Sequence, residues 1–218
     1  MSYPSGDLNV MSVGGVTTPM DQFGNLTNQF TAWGVQTADG AGGSGGGIST
    51  FFPQPAWQVG LPGAQGRMRN QPDLALEADS HTGVAVLVDA GIPGQAVVSL
   101  GGTSVAAPEM AAMWALVLQA CKTSTTCNKG GTYGYRLGDP AQLLYSMYYQ
   151  NHALNPEYSS VFFDVLYGDN AQGQSSLNPS PSPSPGLDYG YYAGPGYDLV
   201  TGLGVPYARH LIKAVTQQ

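Results

Sequence analysis

The sequence predicts an α/β fold, and three observations carry that reading. Short β-branched, apolar runs, notably Gly83–Asp89 (GVAVLVD) and Ala96–Leu100 (AVVSL), have strand character. The period then changes at once: Val105–Lys122 (VAAPEMAAMWALVLQACK) is rich in Ala, Met and Leu and predicts a long helix. The 31 Gly and 16 Pro supply turns and close backbone approaches between the elements. Strands that feed helices imply layers packed around a common core.

Taken in order, Asn9–Val16 (NVMSVGGV) predicts a short strand that runs into a double-Gly turn. Asn25–Trp33 has the polar and aromatic character of an edge strand or hairpin arm, and Ala38–Gly47 (ADGAGGSGGG) that of a loop unable to pack a core. Pro72–Ala78 predicts a strand, separated from Gly83–Asp89 by a polar turn at Asp79–Thr82. The helix over Val105–Lys122 carries apolar residues on nearly every side, which predicts burial. A second helix is expected over Asp139–Asn151, with Asp139 as cap and Pro140 as its first residue. A third spans Pro206–Val215. Ser175–Gly186 (SSLNPSPSPSPG) is a Pro/Ser stretch expected to be an exposed insertion within a single domain over 1–218.

Composition excludes some roles. With 42% hydrophobic residues the chain is built to fold rather than to stay disordered. Only 7 Lys+Arg stand against 14 Asp+Glu, and no basic face is readable, so no nucleic-acid partner is expected. Few cations remain to repel one another once carboxylates neutralise, a composition suited to acid. No uninterrupted apolar run has the length of a membrane span, so no membrane partner is expected. Met1–Asp7 lacks the basic start and apolar run of a signal peptide. Cys121 and Cys127 flank a short polar loop and are either two thiols or a disulfide, the latter fitting an oxidising compartment.

Gly101-Gly102-Thr103-Ser104, set between a strand and the Ala-rich helix, places Ser104 at a helix N-terminus. Unpaired N–H groups and the positive end of the dipole there favour negative charge developing on a substrate oxygen. Pro108 falls near the helix start, where losing an N–H costs least. Ser is also a common helix cap, so this arrangement alone admits a capping role.

The longer string GGTSVAAP resembles the GTSxxxP serine motif of the subtilisin-like superfamily. GGSGGGISTFFPQPAWQ (Gly42–Gln58) resembles the SGGGxSxxFxxPxWQ segment of its sedolisin family. SVGGVTTP (Ser12–Pro19) is similar to that family's VGGT segment, and RNQPDLALEADSHTG (Arg69–Gly83) to its RxxPDVxxxADPxTG segment. The resemblance implies the C-terminal part of a subtilisin-like three-layer α/β sandwich with a mostly parallel sheet. It implies a secreted, acid-active serine-carboxyl peptidase acting on peptide or protein substrates, with Ser104 as nucleophile. Classical subtilisins use a His followed by Gly and Thr, a context that His81, His152 and His210 all lack.

The same resemblance shows what to look for and not find. Sedolisins take their Glu base and its supporting Asp from an ExxxD helix, and an oxyanion Asp from an SGD loop, both upstream of the VGGT segment. Glu77, Glu109 and Glu157 are followed four residues later by His81, Met113 and Val161. Ser5-Gly6-Asp7 mimics SGD but lies directly before the VGGT segment, where Tyr3–Gly6 matches an FPAS-like stretch better. The implied partner is therefore an N-terminal half of the domain, and the alternative is an inactive remnant that binds peptides or a partner. Asp73 and Asp79 read as structural residues at a strand start and a turn, Trp33, Trp57 and Trp114 as core. The glycines of Gly42–Gly47 fit either a cleft lining or a plain loop.

A structural calcium ion is implied by two further segments. Phe163-Asp164-Val165 resembles the family's DI or DV step, and YYAGPGYDLVTGLGVP (Tyr191–Pro206) its YxAxxGWDxxTGxGxP loop. By that match Asp164 and Asp198 would supply carboxylates and Val165, Gly194 and Gly196 backbone carbonyls. Asp169 and Asp188 match no ligand position.

Overall fold

The computed structural model describes residues 3–27, 29–37, 40–89, 94–127, 137–154, 161–170 and 190–216. The expected insertion over 175–186, together with Glu157 and Asp188, lies outside the described residues. Strands β1 (Val13–Thr17), β2 (Thr31–Ala32), β3 (Gly34–Thr37), β4 (Gly40–Gly43), β5 (Gly47–Pro53), β6 (Met68–Gln71) and β7 (Leu74–Glu77) come first. They are followed by β8 (Val84–Val88), β9 (Ala96–Leu100), α1 (Thr103–Thr123), α2 (Pro140–Leu154), β10 (Phe162–Phe163), β11 (Tyr167–Gly168), β12 (Val205–Pro206) and α3 (Ala208–Thr216).

The central sheet has the order β11-β2-β1-β7. Its β1–β7 and β11–β2 pairings are parallel and β1–β2 is antiparallel. Among the described residues parallel pairing is confined to this sheet, since β3–β4, β5–β6, β8–β9 and β10–β12 are antiparallel pairs. Leu74 and Leu76 of β7 face a large core with Met110 and Val117 of α1, Leu144 and Tyr145 of α2, and Leu211 of α3. The alternate residue Ala75 faces a smaller cluster of Val16, Phe30, Val165 and Val205. All three helices thus serve one face of the sheet, and no helix among the described residues covers the other.

Three local expectations change. Gly14 and Gly15 lie inside β1 rather than in a turn after it, because their neighbours leave no space for side chains. A Cβ on Gly15 would meet the Ala78 side chain and Trp33, and one on Gly14 the ring of Pro72 at 2.7 Å. The Ala38–Gly47 stretch is not a plain loop, since Gly40–Gly43 pairs with Gly34–Thr37. Asp139 does cap α2, accepting the Ala141 N–H at 2.9 Å.

The third concerns α1, which is not buried all round. Ala106, Met110, Val117 and Cys121 are buried, while Ser104, Ala107, Pro108, Ala111, Ala112, Ala115, Leu116 and Gln119 form an exposed stripe at helical spacing. By length and composition α1 could cross a membrane, with a mean hydropathy of 1.3, which corrects the expectation from uninterrupted apolar runs. Its buried face packs on β1, β7 and α3 as a core helix does. The β8–β9 hairpin adds Leu87 and Val97, 59% and 70% exposed, to the uncovered apolar surface. Such surface promotes association. Sedimentation of the wild-type chain is expected to rise with concentration, and the Leu116→Lys/Val97→Lys variant to stay near the monomer value. Equal behaviour of the two would show that this face is not sticky.

Candidate active site

The turn that carries Ser104 is built by β9, two glycines and the start of α1. Gly102 is the N-cap at φ 89°, a conformation that side chains disfavour. No side chain caps α1, and Ser104 is its second residue, so the capping role is not the one Ser104 fills. The Val105 and Ala106 N–H groups turn back to the Gly102 carbonyl at 2.8 and 3.4 Å. Thr103 and Ser104 donate no N–H to an acceptor among the described residues, and Ser104 Oγ is exposed there without a hydrogen-bond partner. The result is a free hydroxyl at the positive end of a 21-residue helix. Pro108 is the sixth helical residue, deeper than expected, so it withholds the N–H that would otherwise bond the Ser104 carbonyl.

Below this turn lies Ala78–Thr82. The Gly102 N–H bonds the Ala78 carbonyl, and a Cβ on Gly101 would collide with Ser80 N and Ala78 O. Asp79 is buried, which pushes its pKa up. Hydrogen bonds from the His81 N–H and ring and from the Thr17 hydroxyl outweigh that and hold it below the usual range. Glu77 accepts the Asp79 N–H at 2.6 Å. Asp7 binds Asn9 locally. None of these carboxyls is bonded to Ser104.

Asp73 is structural, in a way the sequence reading did not anticipate. Arg69 and Asp73 form a fully buried ion pair, Nη2 to Oδ2 at 2.7 Å and Nη1 to Oδ1 at 2.8 Å. The Tyr145 hydroxyl and the Ser12 N–H complete the carboxylate, and the guanidinium stacks 4.7 Å from the Trp57 ring centre. The available signal was the four-residue spacing of Arg and Asp around Pro72. The Gly42–Gly47 glycines serve internal packing: Gly43 and Gly46 press against the Asn170 and Leu199 backbones. Ser44 joins the Gly15 N–H to the Val200 carbonyl.

The expected calcium residues converge on one loop. Asp164 accepts the Gly196 N–H at 2.9 Å, and Asp198 accepts those of Gly194, Val200 and Thr201. Burial raises the Asp198 pKa ahead of the loop N–H groups that lower it. Burial and then the charges of Asp164 and Asp198 push the Tyr148 hydroxyl up to about 12, so both carboxylates act on the same point. Among the described residues no cluster of three or more His, Cys, Asp or Glu forms a metal site, so an ion here would rest on two carboxylates and backbone carbonyls. That donor set is all oxygen and carries two negative charges, which suits a hard divalent cation. Cys121 and Cys127 are joined as a disulfide at the end of α1.

Residues 1–130 match the family model described as the subtilase family. Kumamolisin from Bacillus sp. (strain MN-32) is 33% identical over 222 residues, covering 99% of this chain and 32% of that protein. Sedolisin from Pseudomonas sp. (strain 101) is 32% identical over 206 residues, 94% of this chain and 28% of that protein. A solved structure of Pseudomonas sedolisin, a serine-carboxyl proteinase complexed with two molecules of pseudo-iodotyrostatin, matches with a TM-score of 0.70 and 29% identity. The match covers 98% of this chain and 48% of that one. The chain thus spans about a third or less of the curated relatives. An exposed serine at the start of the long helix, a subtilase match over most of the chain and these two relatives place it in the subtilase family, on the sedolisin (serine-carboxyl peptidase) branch.

Proposed function

We propose that this chain is the C-terminal part of the catalytic domain of a secreted sedolisin-type peptidase that hydrolyses peptide bonds in acid. The observation that carries the reading is Ser104, exposed behind a positive-φ glycine at the N-terminus of α1 with its hydroxyl unengaged. Its Oγ would attack the peptide carbonyl carbon while its proton passes to a carboxylate base. The oxyanion would be held by N–H groups at the helix start and by a protonated acid donor. A carboxyl base with a protonated donor suits acid conditions.

The base and acid donor would come from a partner, the rest of the domain. The exposed stripe of α1 begins at Ser104 itself, so an element packed along it would reach the nucleophile. Matching only 48% of the sedolisin chain supports a partner of that size. The disulfide supports an oxidising compartment. Ser104 without a bonded carboxyl also favours a second reading, an inactive remnant that binds peptides. Peptide hydrolysis with and without the upstream half separates the two.

Asp164 and Asp198, with the carbonyls of Val165, Gly194 and Gly196, would hold one calcium ion, whose part would be to fasten the loop rather than to react. Calcium is therefore expected to raise the melting temperature, and Asp164→Ala and Asp198→Ala each to abolish the rise. A calcium concentration 100-fold above Kd would give about 2.7 kcal/mol. The measurement belongs above about pH 5, where carboxylates are ionised. An unchanged wild-type melting temperature on chelation would remove the assignment.

A further inference from the structure

The turn beneath the nucleophile is held by a side chain that the catalytic scheme does not use. Glu77 closes β7, the edge strand of the central sheet, and its Oε1 accepts two hydrogen bonds: the Asp79 N–H at 2.6 Å and the Thr82 hydroxyl at 3.1 Å. Those bonds fix the Ala78–Thr82 turn from within, and the Thr82 hydroxyl in turn accepts the Thr18 N–H at 3.3 Å. The other side of the same turn meets the strand and turn that lead to Ser104. Ser99 Oγ donates to the Ser80 carbonyl at 2.6 Å, Gly102 N–H to the Ala78 carbonyl, and Gly101 lies flush against Ser80 N. The ties from the Ser99–Gly102 backbone approach to this turn thus fall on Ala78 and Ser80, while Ser99 and Leu100 also pair with Ala85 and Val84 in the β8–β9 hairpin. Glu77 Oε2, by contrast, is buried with no hydrogen-bond partner among the described residues.

We propose that Glu77 is a positioning residue for Ser104, holding the 78–82 turn on which the Gly101-Gly102 turn is seated. The inference rests on the reading of Ser104 as nucleophile for its functional meaning, while the seat itself can be measured without activity. Only one carboxylate oxygen does the holding, so a neutral amide, whose carbonyl oxygen accepts the same two bonds, preserves the seat. An alanine removes both acceptors and frees the turn.

Glu109 of α1 is half-buried five residues beyond Ser104; burial first and then the charge of Glu77 raise its pKa, against a hydrogen bond from the Glu77 N–H that lowers it.

Hydrogen exchange by mass spectrometry on the folded 218-residue chain, corrected for intrinsic exchange rates, tests this between about pH 4 and pH 7. Protection of the segment from Ala78 to Val105 is expected to fall about tenfold in Glu77→Ala, the scale of a lost hydrogen bond to a charged acceptor, and to be retained in Glu77→Gln. Protection of β1 and α2 is expected to stay within twofold, a measure that a general folding defect would shift. Unchanged protection in Glu77→Ala, or equal losses in Glu77→Gln and Glu77→Ala, would overturn the assignment. A seat that behaves as expected, beside turnover by the reconstituted pair that Ser104→Ala leaves unchanged, would sink the nucleophile reading alone.

Discussion

The purified 218-residue chain is expected to hydrolyse no peptide at any pH, and co-expression with the upstream half of the domain to restore turnover with an optimum near pH 4, a range in which carboxyl groups exchange protons. The reason lies in what surrounds Ser104. Its hydroxyl has no hydrogen-bond partner among the described residues, and a serine without a base is a weak nucleophile. A positioned base contributes on the order of 10²–10⁴ and an oxyanion donor on the order of 10²–10³ in rate. Asp73 and Asp79, the carboxylates of the Arg69–Gly83 segment, are each committed elsewhere, to Arg69 and to His81 with Thr17. The assay is cleavage of a broad peptide library by the lone chain and by the reconstituted pair, each with Ser104→Ala. Turnover by the lone chain that Ser104→Ala abolishes would mean that a base is present in these residues, with Glu77 and Glu109 the first to substitute. Failure of the reconstituted pair would favour the peptide-binding remnant.

Much of this was legible in the sequence, and the exceptions have physical reasons. The strands at 74–77, 84–88 and 96–100 and all three helices follow from periodicity and caps, because those signals are local. The position of Ser104 at a helix start was legible because strand, double glycine and Ala-rich helix are local signals, whereas Asp164 and Asp198 were singled out by family resemblance, and the structure brings both to one loop. The double glycine of β1 was misplaced because glycine marks either a turn or a close approach, and only the positions of Ala78 and Trp33 decide between them. The exposure of α1 was misread because composition reports how apolar a helix is, whereas coverage depends on what packs against it. Here only one face finds neighbours among the described residues. The Glu77 seat escaped notice because its partners are mainly backbone groups, which leave no residue-type signature.

Breaking the Arg69–Asp73 pair is expected to be the most destabilising single change in the chain. Asp73 carries four donors in a site closed to solvent: two guanidinium nitrogens, the Tyr145 hydroxyl and the Ser12 N–H. Its backbone adds two bonds, to the Ser12 carbonyl and from the Leu203 N–H, at 2.8 Å each. Through these contacts it ties β1 and β7 to α2 and to the segment that follows Asp198. Asp73→Ala would strand the guanidinium, buried without a counter-charge and with its Nε already unpartnered among the described residues. Removing one partner of such a pair costs about 3–5 kcal/mol, against a total stability of about 5–15 kcal/mol. At about 2–4 °C per kcal/mol for a chain of this size, the melting temperature should fall by roughly 6–20 °C. Asp73→Asn should cost less, because it keeps an acceptor for Tyr145 or Arg69 and loses the charge. Arg69→Met in the Asp73→Leu background should cost less than the sum of the single changes, since the two charges leave together. Thermal melts of the wild type, Arg69→Met, Asp73→Leu and the double variant close the cycle. Additive losses would mean that Arg69 and Asp73 act independently, and the central role given to the pair would be lost.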